Sequence, residues 1–254
     1  MHIFTEMNPM TNSDTVPKVA LVTGANKGIG YEIARALAAD GAIVLLGCRE
    51  PSKGSEAAAR LASTGSAFSV ELDVTRPSTI DAAARHIDLT YGRLDVLVNN
   101  AGISVEPRTP PSAADIDRVK QVYETNVFGV IAVTIAMLPL LRRAPAGRIV
   151  NISSSLGSLT LASDPGGPWS KFGLLGYNTS KTALNAITVQ FANELRNSAI
   201  KVNAACPGYV ATDLNGHSGY RSPAEGARIA ITLATLPGDG ATGGLFSEEG
   251  PVAW

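Results

Sequence analysis

The chain has 254 residues, of which 45% are hydrophobic and 17% are charged. This length suits one large α/β domain or two small ones, and it is ample for a continuous core. The 21 Lys and Arg residues are balanced by 22 Asp and Glu residues, so the net charge of −1 offers no basic excess for nucleic-acid binding.

Three features of the sequence indicate the compartment of the protein: its cysteines, its N-terminal segment and its longest apolar run. Cys48 and Cys206 lie far apart and form no disulfide framework, which suits a reducing compartment. Residues 1–16 are polar and lack the apolar core of a signal peptide, so we predict a flexible tail before a single domain at 17–254. The longest apolar run, 127–141, is shorter than a membrane span of ~20 residues. We therefore expect a cytoplasmic protein without a membrane segment.

Short apolar runs alternate with longer Ala-rich segments along the rest of the chain. Strands are predicted at 18–24, 41–47, 66–74, 94–102, 147–154, 200–208 and 243–250. Helices are predicted at 28–40, 52–64, 78–92, around 112–125, 126–143, 177–198 and 222–236. The alternation indicates an α/β fold: a Rossmann-type, doubly wound parallel sheet of about seven strands with helices on both faces, in a single domain. Ligands of such sheets bind beyond the carboxyl ends of the strands.

The stretch "TGANKGIG" follows the first predicted strand and opens the first helix. Gly24, Gly28 and Gly30 allow a tight turn and a close approach of the backbone to a ligand. The helix N-terminus behind them offers free N–H groups to a pyrophosphate. The spacing is G-x-x-x-G-x-G rather than G-x-G-x-x-G. A plain strand–turn–helix junction is the alternative, but the position after the first strand of a βαβ unit favours a dinucleotide site.

The stretch "GCRE" at the end of the second strand indicates which dinucleotide is bound. An NAD site usually carries an acid here that binds the adenosine ribose. Cys48 stands at this place instead, and Glu50 comes late, beside Arg49. Arg49 and Lys27 together would suit a 2′-phosphate, so NADP(H) is favoured. The alternative is a pair of ordinary surface cations.

Asp73, at the end of the third strand, has two interpretations. It either accepts a hydrogen bond from the adenine amino group or caps a turn.

Tyr177 and Lys181 in "YNTSK" are four positions apart and project from one face of a helix. A nearby cation favours the phenolate and lowers the pKa of a tyrosine, which suits general acid–base work. A weakly paired Tyr and Lys on a helix surface is the alternative.

With these residues placed, the sequence resembles the short-chain dehydrogenase/reductase family from about Lys18 to Trp254. The motifs that carry the resemblance are "TGANKGIG", "NNAG" at 99–102 and "PGYVATD" at 207–213, with Asn126, Ser154, Tyr177 and Lys181 at the positions of the family's catalytic tetrad. Within the family, "GANKGIG", "CPGYVATDL", "SPAEGA" and the closing "GGLFSEEGPVAW" are similar to the carbonyl reductases that use NADPH.

The resemblance implies a role for each member of the tetrad. Tyr177 would donate a proton to the carbonyl oxygen, or remove it from the alcohol in the reverse direction. Lys181 would lower the pKa of that phenol and bind the nicotinamide ribose. Ser154 would hold the substrate oxygen, with Ser153 as the fallback, and Asn126 would keep a water chain to Lys181.

An NADP(H) site is therefore predicted, and no metal site. Thr212 and the Val210 backbone would hold the nicotinamide carboxamide. The predicted cofactor-binding residues are Gly24, Asn26, Lys27, Gly28, Ile29, Gly30, Arg49, Asp73, Val74, Asn100, Ala101, Gly102, Tyr177, Lys181, Pro207, Gly208, Val210 and Thr212.

The chain departs from the simpler members of the family between Ser154 and Tyr177, which are 23 positions apart (177 − 154). The extra stretch around 163–173 is rich in Pro and Gly and is predicted as a loop beside the substrate. Trp169 and Phe172 would either line the pocket or merely pin the loop to the surface. The departure leaves open whether the protein is a monomer, a homodimer or a homotetramer.

The expected activity is hydride transfer from NADPH to the carbonyl carbon of an aldehyde or ketone, a small-molecule substrate, with alcohol oxidation as the reverse reaction. An NAD-dependent alcohol or sterol dehydrogenase is an alternative, against which Cys48 and Arg49 argue. A regulator that binds NADP(H) without turnover is a third reading, and the presence of both Tyr177 and Lys181 argues against it.

Overall fold

The computed structural model describes residues 16–254, so the predicted tail lies, apart from Val16, outside the described residues. The strands are β1 Val19–Thr23, β2 Ile43–Cys48, β3 Ala67–Glu71, β4 Val96–Asn99, β5 Arg148–Ile152, β6 Lys201–Ala205, β7 Leu245–Ser247 and β8 Gly250–Val252. The helices are α1 Gly28–Ala39, α2 Pro51–Leu61, α3 Pro77–Tyr91, α4 Ile116–Tyr123, α5 Val130–Leu141, α6 Leu159–Ala162, α7 Leu175–Glu194 and α8 Pro223–Ala234.

All eight strands form one sheet in the order β3-β2-β1-β4-β5-β6-β7-β8. Strands β1 to β7 pair in parallel, and β8 pairs antiparallel with β7. The order runs outward from β1 in both directions, so the prediction of a doubly wound parallel sheet is confirmed. It also places a crevice at the carboxyl ends of β1 and β4, where the winding reverses.

Side-chain alternation along the strands produces two cores, one on each face of the sheet. Along β1, Ala20 and Val22 join a core with α1, α2 and α8, whereas Val19 and Leu21 join a core with α3, α5 and α7. Successive residues of a strand point to opposite faces, so a strand covered on both sides needs apolar residues at every position. All five residues of β1 are buried.

The last predicted strand, 243–250, is in fact a hairpin of β7 and β8. Phe246 lies opposite Pro251, and Ser247 opposite Gly250. Proline cannot donate a backbone hydrogen bond, so it is tolerated in β8 because this strand forms the edge of the sheet. The eighth strand is thus an addition to the predicted seven.

Helices α4 and α5 are parts of one continuous run, Ile116–Leu141, rather than two separate helices. A π-helical turn at Glu124–Gly129 joins them, and it contains Asn126. By length and composition this run is apolar enough to cross a membrane, but half of its most apolar stretch is buried inside the protein. Its α5 part packs in the core with α3 and α7.

Candidate active site

Most of the motif residues lie at the carboxyl ends of four neighbouring strands. The glycine turn follows β1, Asn99 to Gly102 end β4, Ser153 and Ser154 follow β5, and Cys206 to Gly208 follow β6. These strands are parallel and adjacent, so their carboxyl ends meet at one edge of the sheet. The topology therefore gathers residues that are up to about 180 positions apart in sequence, as expected for a ligand crevice in this kind of sheet.

The glycine turn leaves no room for side chains at two of its glycines. Gly24 has φ +64°, and a Cβ there would lie 3.0 Å from the Cα of Ala101. A Cβ on Gly30 would lie 2.3 Å from the Nδ2 of Asn100. Gly28 has φ +60° and begins α1. The turn therefore fits the close backbone approach that a dinucleotide requires at a helix N-terminus.

Asn100 and Ala101 hold the end of β4 against this turn. The Asn100 side chain donates to the carbonyl oxygens of Thr23 (2.8 Å) and Gly24 (3.2 Å). The Thr23 hydroxyl accepts from the backbone N–H groups of Asn100 and Ala101, both at 3.0 Å. The predicted cofactor residues of the first and fourth strands thus form one hydrogen-bonded unit.

Cys48 lies behind the glycine turn rather than on the open face of the crevice. It is buried, and burial raises the pKa of its thiol to about 11, although the backbone N–H groups of Ala25 and Asn26 act in the opposite direction. The thiol is therefore neutral at physiological pH. It offers no negative charge that would repel a phosphate at this end of β2.

The two predicted 2′-phosphate cations are exposed and are engaged with different acids. Arg49 Nε lies 3.9 Å from Glu50 Oε1, and Lys53 holds the other oxygen of Glu50 at 2.7 Å. Lys27 forms an ion pair with Asp213, which belongs to the segment after β6. Lys53, Arg49 and Lys27 all lower the pKa of the Glu50 carboxyl, so the two predicted cations lie near the same acid. Lys27 in addition links the glycine turn to the segment after β6.

Asp73 and Val74 follow β3 and have internal partners. Asp73 Oδ1 accepts from the backbone N–H of Thr75 at 3.0 Å and from its hydroxyl at 2.8 Å. Val74 is buried against Gly129 of the π-helical turn. The turn-capping alternative for Asp73 therefore accounts for one of its carboxylate oxygens.

Asn126 is held in the π-helical turn by a two-way contact with Ile103. Its Nδ2 donates to the Ile103 carbonyl at 2.9 Å, and its Oδ1 accepts from the Ile103 N–H at 2.9 Å. The same Nδ2 lies 3.1 Å from the hydroxyl of Ser180 on α7. A Cβ on Gly102 would be 3.4 Å from Asn126 Oδ1 and 3.7 Å from Lys181 Nζ, so these groups surround one small space. Single π turns inside helices are frequent at functional sites.

Lys181 projects from α7 into the protein. Its Nζ donates to the carbonyl oxygen of Ile152 at 2.7 Å and lies 5.6 Å from the centre of the Tyr177 ring. Burial lowers the pKa of this lysine from 10.5 to about 8. The ammonium form therefore predominates at neutral pH and is lost within the range in which enzymes work.

Tyr177 is half-buried beside Ser154 and Cys206. Burial raises the pKa of its phenol to about 12, the Cys206 sulfur acts in the same direction, and a hydrogen bond with Ser154 acts against it. The net shift of the phenol pKa is therefore upward, opposite to the lowering expected beside Lys181, and burial is its largest cause.

The consecutive serines of "NISSS" divide between two environments. Ser153 is buried and donates to Asn185 Oδ1 at 2.6 Å. Ser154 lies at the start of the next turn, where its hydroxyl accepts from the Leu156 N–H at 3.1 Å and also bonds Tyr177. The structure therefore brings Ser154, and not Ser153, to the tyrosine.

The segment after β6 covers the glycine turn. Gly208 has φ +78°, Pro207 is buried, and the Val210 carbonyl accepts from Asn215 Nδ2 at 2.8 Å. The Thr212 methyl group would lie 3.6 Å from a Cβ on Gly28. Thr212 therefore stands directly opposite the N-terminus of α1, across the crevice.

The stretch 163–173 is fastened to two neighbouring segments. The Phe172 ring lies 6.4 Å from the Trp169 ring and 5.1 Å from the Arg108 guanidinium carbon. The carbonyl oxygens of Phe172 and Gly173 accept from Asn178 Nδ2 (2.8 Å) and the Thr109 N–H (3.1 Å). The loop therefore abuts the helix that carries Tyr177, and both interpretations of its aromatic residues stay open.

Sequence reasoning missed three residues of this region: Glu106, Cys206 as a neighbour of Tyr177, and Asp213. Glu106 binds the start of α7, 70 positions away in sequence. Asp213 binds Lys27, 186 positions away. No local pattern marks such partners. Only the position of Cys206 at the end of a predicted strand, beside "PG", could have indicated it.

The geometry agrees with the comparison to known proteins. Residues 18–221 match the short chain dehydrogenase family. The chain therefore belongs to the short-chain dehydrogenase/reductase family. It is an oxidoreductase of the class that binds a nicotinamide cofactor, and the fit of the glycine turn to a dinucleotide agrees with this.

Several relatives are similar over nearly the whole chain. (−)-Isopiperitenone reductase of Mentha piperita is 33% identical, and the match covers 94% of this chain and 98% of the relative. Carbonyl reductase [NADPH] 1 of Rattus norvegicus is 35% identical, with 92% of this chain and 97% of the relative covered. The structure of salutaridine reductase from Papaver somniferum is 30% identical, covers 91% of this chain and 99% of that one, and has a TM-score of 0.78.

A further solved structure was determined with a cofactor. The short-chain dehydrogenase of Shigella flexneri complexed with NADP is 27% identical, covers 91% of this chain and 97% of that one, and has a TM-score of 0.80. Most of the relatives named here are reductases, which supports carbonyl reduction as the general chemistry of this chain.

Proposed function

We propose that this protein is an NADPH-dependent carbonyl reductase that acts on aldehydes or ketones, with Tyr177 as the proton donor. The observation that carries the proposal is the arrangement of Tyr177 between Ser154 and Lys181, at the carboxyl edge of the sheet and beside the glycine turn. The similarity to a carbonyl reductase and to a salutaridine reductase supports the same reaction class.

The proton would move from the Tyr177 hydroxyl to the carbonyl oxygen of the substrate. The bound cofactor would supply the hydride. With a pKa of about 12, the phenol stays protonated over the working pH range, as a proton donor must. Ser154, within hydrogen-bond reach of the phenol, would hold the substrate oxygen and stabilise the charge that develops on it.

Lys181 and Asn126 would support this step from behind the tyrosine. The Lys181 ammonium group, 5.6 Å from the ring centre, favours the phenolate left after proton transfer. It would also bind the nicotinamide ribose. Asn126, tied to Ile103 and Ser180, fixes the helix run beside Lys181 and would keep the proposed water chain to it.

The preference for NADPH rests on charge at the adenosine end of the crevice. Arg49 and Lys27 are exposed cations near the end of β2, and the neutral Cys48 thiol replaces the acid that an NAD site would carry. A planar guanidinium binds a phosphate through two parallel hydrogen bonds. The NADP-complexed relative supports this choice. We also infer a small-molecule substrate and a cytoplasmic location.

A substrate panel tests the proposal. The purified protein is mixed with NADPH or NADH and with aliphatic and aromatic aldehydes, cyclic ketones and a sterol ketone, and the loss of reduced cofactor is followed. We expect turnover of several aldehydes or ketones with NADPH. Tight NADPH binding without turnover of any carbonyl compound would favour the regulator, and preferential use of NADH would favour the NAD-dependent dehydrogenase.

A further inference from the structure

The carboxylate of Glu106 binds the first turn of α7, the helix that carries Tyr177 and Lys181. Its Oε2 accepts from the Gly176 N–H at 2.7 Å, and its Oε1 accepts from the Tyr177 N–H at 3.1 Å. The first N–H groups of a helix have no partner within the helix, and an anion at this end is favoured by the helix dipole. Glu106 therefore caps α7 from a distant segment.

The helix has been left without a cap of its own. Leu174, the residue before the first turn, offers no side-chain hydrogen bond. A Cβ on Gly176 would lie only 2.4 Å from Glu106 Oε2, so the glycine makes room for the carboxylate. The sequence at the start of α7 and the side chain of Glu106 are thus matched to each other.

The segment that carries Glu106 is anchored at three points. Ile103 is paired with Asn126, the Val105 carbonyl accepts from Arg118 Nη1 at 2.7 Å, and Glu106 holds α7. This segment follows directly on Gly102, a predicted cofactor-binding residue. It therefore links the predicted cofactor site to the start of the helix that carries Tyr177.

We propose that Glu106 is a positioning residue for proton transfer: it fixes the first turn of α7, and hence the Tyr177 hydroxyl, relative to the cofactor site. This inference rests on the proposed role of Tyr177. Tyr177 lies in the turn that Glu106 caps, whereas Lys181 lies one turn further on and is held independently by the Ile152 carbonyl. Loss of the cap therefore displaces the phenol and leaves the lysine in place.

The test compares Glu106→Ala and Glu106→Gln with wild type for kcat, KM and NADPH affinity. A displacement of about 1 Å can cost about a hundredfold in rate, so we expect kcat of the Ala variant to fall by about tenfold to a hundredfold. NADPH affinity should stay at the wild-type value. The Gln variant keeps one acceptor oxygen but turns an NH₂ group toward a backbone N–H. Its kcat should therefore lie between that of wild type and that of Glu106→Ala.

The control is Ser222→Ala, which removes the cap of α8, a helix without site residues. The Ser222 hydroxyl accepts from the Glu225 N–H at 3.2 Å. This variant should lose thermal stability as the Glu106 variants do, yet keep kcat. Equal kcat losses in the Ser222 and Glu106 variants, or full kcat in Glu106→Ala, would overturn the inference.

Tyr177→Phe in the same assay separates the two proposals. An inactive Tyr177→Phe beside a fully active Glu106→Ala rejects the role of Glu106 alone. A fully active Tyr177→Phe rejects the proposed proton donor and this inference with it. If Glu106→Ala does not fold, Glu106→Gln carries the comparison, because its smaller change retains one of the two hydrogen bonds.

Discussion

At the scale of single residues, Lys181 is the member of the proposed tetrad whose charge changes near neutral pH. Its ammonium nitrogen is buried and has one carbonyl partner, Ile152, at 2.7 Å, and burial lowers its pKa to about 8. Tyr177 keeps its proton far above that pH, since burial raises the pKa of the phenol to about 12. Of these two side chains, Lys181 is therefore the one that titrates within the working pH range.

We expect kcat for carbonyl reduction to be constant below pH 8 and to fall as the pH rises through about 8, where Lys181 loses its charge. The measurement is kcat with saturating NADPH and substrate across this range. Unfolding through Lys181 does not explain such a fall: its folded pKa is lower than the ordinary 10.5, so between these values the unfolded chain binds more protons and stability rises with pH. A profile that stays level well above pH 8 contradicts this role.

Asp213 competes with a 2′-phosphate for Lys27, if Lys27 binds that phosphate. The Lys27–Asp213 pair is exposed on both sides, and exposed pairs contribute little stability. Asp213→Asn should free the lysine and tighten NADPH binding by about twofold to fivefold, with no change for NADH. The control is Asp117→Asn, which breaks a comparable exposed pair with Lys120. An equal change for both cofactors in binding titrations would show that Lys27 does not sense the 2′-phosphate.

Arg49 is the second cation proposed for the 2′-phosphate. A hydrogen bond to a charged group is worth enough that Arg49→Ala should reduce kcat/KM with NADPH by about tenfold or more. The value with NADH should hardly change. Arg35→Ala, an exposed arginine on α1 paired with Glu32, is the matched control for loss of charge. If Arg49→Ala and Arg35→Ala leave the NADPH to NADH ratio at the wild-type value, the phosphate site lies elsewhere.

At the scale of elements, the loop 163–173 joins the proposed catalytic helix to the segment at 108–109. Phe172 is packed between Trp169 and Arg108, and its carbonyl oxygen accepts from Asn178. These contacts fix the position of the loop beside α7. It holds none of the tetrad residues. Its effect should therefore fall on substrate choice rather than on proton transfer.

Trp169→Ala should change KM unevenly across a panel of carbonyl substrates, with bulky apolar ones affected most, because a large apolar surface is removed. The same panel with Phe68→Ala serves as the control, since Phe68 is an exposed aromatic residue on the remote edge strand β3. A uniform change of KM across the panel, or none, would mean that Trp169 merely pins the loop to the surface.

Three elements escaped prediction for physical reasons that are local. Helix α6, Leu159–Ala162, has four residues, which is too short for helical periodicity to show. Strand β8 has three residues, one of them Pro251, and such a short edge strand leaves no periodic signal. The π-helical turn around Asn126 differs from an α-helix by one extra residue within an apolar run, which hydrophobic periodicity does not resolve. The buried strands β1, β4 and β5 were predictable because burial on both faces demands continuous apolar runs.

At the scale of the whole molecule, the parallel sheet explains why distant motifs could be combined from sequence alone. Gly24, Asn100, Ser154 and Pro207 each follow a strand, so the sheet order brings them to one edge. The partnership of Glu106 with α7 could not be predicted in this way. It depends on the path of a loop after β4, and a loop path follows from tertiary contacts rather than from a pattern of residues.

The central claim, that Tyr177 donates the proton, is tested most directly by Tyr177→Phe. The phenyl ring can still pack beside Ser154, so the variant should bind NADPH as wild type does. Its kcat for a good carbonyl substrate should fall by about a hundredfold to ten-thousandfold, the usual contribution of a general acid. The decisive measurement is kcat together with NADPH affinity, in wild type and variant, on the same substrate. Near wild-type kcat in a variant that binds NADPH normally would contradict the account.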